Sequence, residues 1–475
     1  SDRNAHPHTD CSGTVAVVHN GIIENYDELR EQLQSRGHAF TSETDSEVVP
    51  HLVEERLARG VTPETAFRDA VDRLDGSYAL AMLVENEETV FATRNGSPLV
   101  LGVGDGTNYL ASDVPAFIEF TNRVVYLEDG DVAVVSPDDY RITDARGHSV
   151  DRSVETVEWS PEAAEKGGYD HYMLKEIHEQ PTALRQAIEG RIDGGDVTLD
   201  EAPPGSFADV TRVHLVACGT SYHAALYGEE FLSEWGVPAT TFYASEYAIA
   251  SPPVDDGTLV VGVTQSGETA DTLAALQAAR ENDGRTLAVT NVVGSSAARQ
   301  CDDAVFIRAG PEIGVAATKT FSSQVATLSL LGERIARDRT GGPTDDHHDR
   351  LAALQSLPEQ VRSILESTRA PEVATAYLDA DSHFFVGRGA AYPVAMESAL
   401  KFKEITYEHA EGFPAGELKH GPLALVTEDT PVFAISTGAD QTKLVSNVRE
   451  IQARDGPVIA VCPQSASELV DAADE

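Results

Sequence analysis

Two stretches of the chain read as copies of one another. Val213-His-Leu-Val-Ala-Cys-Gly-Thr-Ser-Tyr-His-Ala-Ala225 and His383-Phe-Phe-Val-Gly-Arg-Gly-Ala-Ala-Tyr-Pro-Val-Ala395 each run from an apolar strand through a glycine, two small residues and a tyrosine into a helix. They lie roughly 170 residues apart, which is the signature of a duplicated unit. Around the first copy, strand-like runs at Val213–Ala217, Leu259–Thr264, Thr286–Thr290 and Ala304–Ile307 alternate with Ala-rich helical segments. That alternation predicts a doubly wound parallel sheet over residues 204–344. The second copy spans 374–475, and 345–373 reads as connecting helices. In the second copy Ala390 and Ala391 replace Thr220 and Ser221, and Val432-Phe-Ala-Ile-Ser-Thr437 lacks the full Ser/Thr loop of the first. One lobe is expected to bind a ligand and the other to support it.

Residues 1–150 differ in kind. Short alternating strands such as Thr14–Val18 and Ser77–Val84 mix with helical stretches near Asp27–Arg36 and Ser46–Arg59, which predicts an α+β domain. Residues 151–203 show no clear strand, but Tyr169–Arg191 has helical spacing, so a linker followed by a packing helix is expected there.

Charge narrows the function classes. Asp and Glu number 78 against 35 Lys and Arg, and the resulting net charge of −43 is spread along the whole chain. Such a surface makes nucleic acid and anionic membranes poor partners. Self-repulsion of this density is relieved by screening, so a salty cytoplasm is the expected setting. No run approaches the roughly 18 apolar residues of a membrane span, and Ser1-Asp-Arg-Asn4 shows no signal pattern. Cys11, Cys218, Cys301 and Cys462 are scattered without CxxC spacing. Neither a disulfide framework nor a zinc site is suggested, no cofactor is called for, and the thiols are expected to be reduced and mostly buried.

Four stretches carry candidate chemistry. Thr264-Gln-Ser-Gly-Glu-Thr-Ala-Asp-Thr272 follows an apolar strand and opens a helix, placing the hydroxyls of Thr264, Ser266 and Thr269 among free backbone N–H groups. With Thr220 and Ser221 at the end of a neighbouring strand, such a loop can wrap a sugar phosphate without a lysine, although a capped Ser/Thr turn gives the same pattern. Only seven residues are Lys, and Lys401, Lys403 and Lys419 fall in one short stretch. That stretch, Lys401-Phe-Lys-Glu404 through His409 and Glu411 to Gly416-Glu-Leu-Lys-His420-Gly-Pro, combines acid, base and cation as proton shuffling between adjacent sugar carbons requires. A solvated amphipathic helix is the plainer alternative. Val17-Val-His-Asn20-Gly21 ends a strand in Asn-Gly, which suits either an oxyanion hole or a tight turn. Asp45 could bind an ammonium group or cap the next helix.

In order, His19-Asn-Gly-Ile-Ile-Glu-Asn25, Glu43-Thr-Asp45, Cys218-Gly-Thr-Ser-Tyr222, Gln265-Ser-Gly-Glu-Thr-Ala-Asp271, Glu312-Ile-Gly-Val-Ala-Ala-Thr-Lys319 and Gly416-Glu-Leu-Lys-His-Gly-Pro422 resemble the glutamine–fructose-6-phosphate aminotransferase (isomerising) family over nearly the whole chain. The resemblance implies an N-terminal-nucleophile glutaminase domain, partial here, joined to two sugar-isomerase (SIS) domains, the second truncated. It assigns Asn20 and Gly21 to the oxyanion hole and Asp45 to the α-amino group of glutamine. It assigns Thr220, Ser221, Thr264, Gln265, Ser266, Thr269 and the backbone of Val315 to fructose-6-phosphate. Glu404 would move the proton between C1 and C2 with help from Lys401, and His420 of a partner subunit in a homodimer would open the ring. Ala317 stands where some members carry a serine ligand.

Members of that family begin with a catalytic cysteine and end in a tail lysine. The resemblance therefore leads to the expectation that this chain lacks both ends, binds a hexose phosphate, and does not complete the glutamine-dependent reaction. Cys11 is expected to pack, since an internal cysteine has no α-amine beside its thiol. Two other classes are considered. A sugar-phosphate-sensing SIS regulator would bring a basic DNA-binding module, and amidophosphoribosyltransferase would bring an acidic ribose-binding strand motif; neither is found.

Overall fold

A computed structural model describes residues 2–157, 166–343, 345–438 and 441–475. Residues 158–165, inside the expected linker, lie outside the described residues. Contacts divide the chain into two compact units. One is Ser1–Glu165 with the short segments Glu268–Ala270 and Val292–Arg299, and the other holds the remainder.

The first unit is built on two antiparallel sheets. Strands β1 (His8–Thr9), β2 (Val15–Ile23), β3 (Gly76–Val84), β4 (Val90–Asn95), β8 (Val132–Val135) and β9 (Tyr140–Thr143) form one sheet in that order. The other has the order β10 (Glu155–Thr156), β7 (Arg123–Tyr126), β5 (Val100–Val103) and β6 (Asn108–Ala111). Alternation decides the layering. From β2 and β3, Val15, Val17, Leu80 and Met82 face helices α1 (Tyr26–Ser35), α2 (Val48–Leu57) and α3 (Pro63–Val71), packing with Leu33, Leu52 and Phe67. Ala79 and Ala92 from the opposite face meet Leu101 and Val125 of the second sheet. The expected helices and strands are present. Pairing of β10 with β7 carries this unit's sheet past residue 150, into a stretch read as having no strand.

The second unit contains the repeat. Helix α4 (Tyr172–Ile188) and a small hairpin, β11 (Ile192–Asp193) with β12 (Asp196–Val197), come first. The five-stranded sheet that follows is wholly parallel, in the order β14 (Ala239–Tyr243), β13 (Arg212–Ala217), β15 (Thr258–Val263), β16 (Arg285–Thr290) and β17 (Asp303–Phe306). Counting from β13, the order is 2-1-3-4-5, with its switch point between β13 and β15. The later sheet, β19 (His409–Pro414), β18 (Ser382–Gly387), β20 (Val432–Ile435) and β21 (Val458–Val461), repeats the order 2-1-3-4. The likeness reaches the backbone. Gly219 and Gly389, at matching positions where the chain enters the repeat helices α5 (Gly219–Glu234) and α9 (Ala391–Thr406), both take positive φ, 55° and 51°. Thr264 Oγ1 after β15 accepts the Gly267 N–H at 3.2 Å, and Ser436 Oγ after β20 accepts the Gly438 N–H at 3.0 Å. Central strands are buried along their length, as parallel strands covered on both faces must be. Helix α6 (Ala270–Glu281) follows the 264–269 loop, and the long helix α7 (Lys319–Thr340) packs along α4 and α5. The connecting segment contains α8 (His347–Ser367).

Edge strands β14 and β19 carried no mark in the sequence, and one expectation needs correction here. The thiols are not buried as a group: Cys11 is exposed, and Cys218, Cys301 and Cys462 are only partly covered. Among the described residues no helix is long and apolar enough to cross a membrane.

Candidate functional site

In the first unit the candidate glutamine residues sit on β2 and on the loop leading to α2. Strand β2 does not end at Asn20–Gly21. It runs on to Ile23, with Asn20 opposite Ala79 and Gly21 opposite Tyr78, so the tight-turn alternative is overturned. Gly21 has φ 128°, and a Cβ there would overlap the Ser77 carbonyl oxygen, so only glycine fits. The Asn20 amide is exposed and donates to Ser112 Oγ at 3.3 Å. Asp45 does not cap the following helical turn. Its Oδ2 accepts the Ile23 N–H at 2.8 Å and its Oδ1 the Ser46 hydroxyl at 3.2 Å, which ties the loop to the end of β2. His19 Nδ1 lies 2.8 Å from Ser46 Oγ, and burial lowers its pKa against the opposing pull of Asp45.

Sequence reasoning missed the residue that shapes this loop. Glu47 is fully buried and accepts four hydrogen bonds, from the N–H and hydroxyl of Thr41 (2.6 and 2.9 Å) and of Ser42 (2.7 and 2.5 Å). Burial alone would raise its carboxyl, but the bonds from Ser42 and Thr41 together outweigh it and hold the group below 4.5. Replacing Glu47 by alanine strands four donors, so a loss of about 2–4 kcal/mol is expected, read as a lower urea midpoint and faster amide exchange at Thr41 and Ser42. A pKa depressed on folding adds stability that is complete above the unfolded value and fades as pH falls through the folded one. Accordingly the gap between wild type and Glu47→Gln narrows with acidification below about 4.5. A gap that stays constant from neutral pH to pH ~3 would exclude an ionised Glu47 as the source.

The two loops read from the sequence as phosphate-binding start at the carboxyl ends of adjacent strands of the five-stranded parallel sheet. Thr220 and Ser221 open α5 after β13, and Thr264–Thr269 follows β15, with β13 and β15 paired in parallel. This is the switch-point crevice of the sheet. The two hydroxyls of α5 are not equivalent. Thr220 Oγ1 donates its one proton to Glu397 Oε1 at 3.0 Å, whereas Ser221 Oγ accepts the Gln324 amide at 2.8 Å and keeps its proton to give. The Gln265 carbonyl accepts the Asn291 N–H at 3.0 Å, which fixes the loop against the end of β16. Val315 is 92% exposed on the loop after β17. That loop is held from below, since Glu176 of α4 accepts the N–H groups of Ile313 (2.6 Å) and Gly314 (3.0 Å). Burial keeps the Glu176 carboxyl above its usual range despite these donors.

Within the acid–base stretch Lys401 and Glu404 are partly covered, while Lys403, His409, Lys419 and His420 are exposed. Glu397, Lys401 and Glu404 lie at i, i+4 and i+7 on one face of α9, and their side chains are 7%, 15% and 31% exposed. Lys401 Nζ sits 2.6 Å from Glu404 Oε2 and 3.6 Å from Glu397 Oε1. Glu397 also receives His223 Nδ1 at 2.7 Å. A continuous polar chain thus runs from Thr220 and His223 of the first repeat through Glu397 and Lys401 to Glu404 of the second. Neither Glu397 nor His223 stood out in the sequence, because each makes sense only beside a partner more than 170 residues away. His420 ends a helical turn, Leu418–His420, beyond the edge strand β19. Its side chain is exposed and, among the described residues, forms no hydrogen bond to Lys401 or Glu404.

Comparison with known proteins gives this geometry its setting. Residues 1–119 match the model of a glutamine amidotransferase domain, and residues 206–334 and 376–475 match the SIS domain. The chain is 53% identical over 472 residues to glutamine–fructose-6-phosphate aminotransferase [isomerizing] from Halobacterium salinarum, covering 98% of this chain and 78% of that one. It is 47% identical over 476 residues to the enzyme of the same name from Methanothermobacter thermautotrophicus, covering 99% and 78%. Among solved structures, the C-terminal domain of glucosamine-fructose-6-phosphate aminotransferase from Francisella tularensis matches with a TM-score of 0.61 and 37% identity, over 64% of this chain and 87% of that one. An amidotransferase module followed by paired SIS repeats, with close relatives along nearly the entire sequence, means that the chain belongs to the glutamine–fructose-6-phosphate aminotransferase family.

Proposed function

We propose that the chain takes part in glutamine-dependent amino transfer to fructose-6-phosphate with isomerisation, giving glucosamine-6-phosphate and glutamate, and that the α5/α9 polar chain is the core of the sugar site. The observation that carries this is the Thr220–Glu397–Lys401–Glu404 linkage, which couples the phosphate loops of one repeat to the acid–base pair of the other. Ser221, Ser266, Thr269 and backbone N–H groups at helix starts hold the phosphate, with Thr264 and Gln265 shaping the loop and the backbone of Val315 closing over the sugar. Glu404 removes a proton from one of the two carbons and returns it to the other, and Lys401 balances the carboxylate's charge. His420 reaches the sugar ring from a second subunit, for which its exposed position at the edge of the second sheet leaves it available. In the amidotransferase unit, Asn20 and Gly21 stabilise the oxyanion and Asp45 binds the α-amino group of glutamine.

Proton bookkeeping at α5 separates two neighbouring hydroxyls experimentally. Ser221→Ala removes a donor to the phosphate and is expected to weaken fructose-6-phosphate binding by about 10–100-fold in calorimetric titration. Thr220→Val removes a donor to Glu397 and is expected to disturb turnover more than affinity. Undiminished affinity in Ser221→Ala with the fold intact would remove the Ser221 hydroxyl from the phosphate site.

A further inference from the structure

Cys11, His38, His51 and Glu54 converge in the first unit, each offering one ligand atom, and these atoms all lie within 4.8 Å of one another. They come from three places: the turn between β1 and β2, the loop after α1, and one turn of α2, where His51 and Glu54 are i, i+3. Cys11 Sγ is 3.6 Å from Nδ1 of both imidazoles. Glu54 Oε2 is 2.9 Å from His38 Nδ1 and 3.3 Å from His51 Nδ1. We infer that this cluster is a structural metal site for zinc, or another divalent ion of tetrahedral preference, bound by one thiolate, two imidazoles and one carboxylate.

Bond lengths of about 2.3 Å to sulfur and 2.0–2.1 Å to nitrogen or oxygen imply tetrahedral edges of about 3.5–3.6 Å for S···N and 3.3–3.4 Å for N···O. Both observed S···N separations and one N···O separation already have these lengths, and the other N···O pair is a few tenths of an ångström shorter. The outer ring nitrogens supply an independent observation. His38 Nε2 faces Glu55 Oε1 at 3.6 Å, and His51 Nε2, fully buried and without a hydrogen-bond partner among the described residues, faces Glu47 Oε1 at 3.8 Å. If neutral rings instead donated Nδ1–H to Glu54, their Nε2 lone pairs would point at carboxylates. With Nδ1 on a metal, each Nε2–H points at one, the usual carboxylate–histidine–metal arrangement. Two imidazolium rings would also satisfy the carboxylates, but their centroids are 5.1 Å apart and like charges that close repel. Four protein ligands leave no open position, so the site braces structure rather than performing chemistry. It would fasten the β1–β2 turn and the segment entering the Thr41–Asp45 loop onto α2. Binding converts the Cys11 thiol to thiolate and releases its proton to solvent.

The test uses the whole chain under reducing conditions in concentrated potassium chloride, stripped with a chelator and then titrated with Co²⁺ and Zn²⁺. About one equivalent of Co²⁺ is expected to bind with a thiolate-to-cobalt charge-transfer band and tetrahedral ligand-field bands, to be displaced by Zn²⁺, and Zn²⁺ should raise the melting temperature. Cys11→Ser should abolish the charge-transfer band, and both it and His38→Ala should weaken zinc binding by at least about 100-fold. Each variant's circular dichroism spectrum serves as the folding control. Only weak, octahedral cobalt spectra from wild type would overturn the proposal by leaving non-specific binding to acidic side chains. Wild-type zinc affinity in folded Cys11→Ser and His38→Ala would overturn it by placing the metal elsewhere.

Discussion

Glu404→Gln is expected to lower the rate at which the protein exchanges the C1 protons of fructose-6-phosphate with deuterated solvent by about 10²–10⁴-fold. Affinity for the sugar phosphate should change little, because a positioned acid–base group acts mainly in the transition state. The geometry supports so large a figure. Glu404 is paired at 2.6 Å with a lysine that is itself fixed by buried Glu397, so the carboxylate is held rather than mobile. Glutamine preserves shape and a hydrogen bond toward Lys401 but takes up no proton. Glu397→Gln provides a control for positioning, since it should reduce the rate without removing the proton acceptor, and Glu404→Asp should recover part of the activity. Proton exchange can be followed by nuclear magnetic resonance without glutamine, so the measurement isolates the sugar half. An unchanged rate in Glu404→Gln would take Glu404 out of the mechanism.

Mixing two inactive proteins should restore activity if His420 serves a neighbouring subunit. A homodimer built from equal amounts of His420→Ala and Glu404→Gln chains is half heterodimer by random pairing, and one of the two sites in each heterodimer then carries both intact groups. About a quarter of wild-type sites would be regenerated from a background near zero. The exposed His420, beyond edge strand β19 and without a bond to Lys401 or Glu404 in its own chain, motivates the experiment. No recovery in heterodimers verified by differential tagging would mean that His420 acts within its own chain or not at all.

Legibility of the fold followed burial. Central strands β13, β15 and β16 are covered on both faces and therefore appear as mostly apolar, Val/Leu/Ala-rich runs, with candidate ligand loops after β13 and β15. Edge strand β14, Ala239-Thr-Thr-Phe-Tyr243, is half exposed and mixed in polarity, so it has no such mark, and the same holds for β19. Within the site, hydroxyl loops could be recognised because their residues are contiguous. Glu397 and Glu47 could not, since a buried carboxylate looks like any other acidic residue until its donors are known, and His223 could not because its partner lies 174 residues away. The same limit applies to Cys11, His38, His51 and Glu54. Their spacing matches no contiguous metal motif, and only folding brings three separate elements together.

The carboxylate of Glu397 also couples the opening of one repeat to that of the other. Glu397 is buried on a helix of the second repeat, yet two of its hydrogen bonds come from Thr220 and His223 of the first. Opening either repeat alone would break both hydrogen bonds and hand the carboxylate and its donors back to water, at a net cost of about 1.5–3 kcal/mol per bond. Separate opening of the two SIS repeats is disfavoured by that amount, although they are separate in topology. The start of α5, with Thr220 and Ser221, is thereby fastened to the helix that carries Lys401 and Glu404.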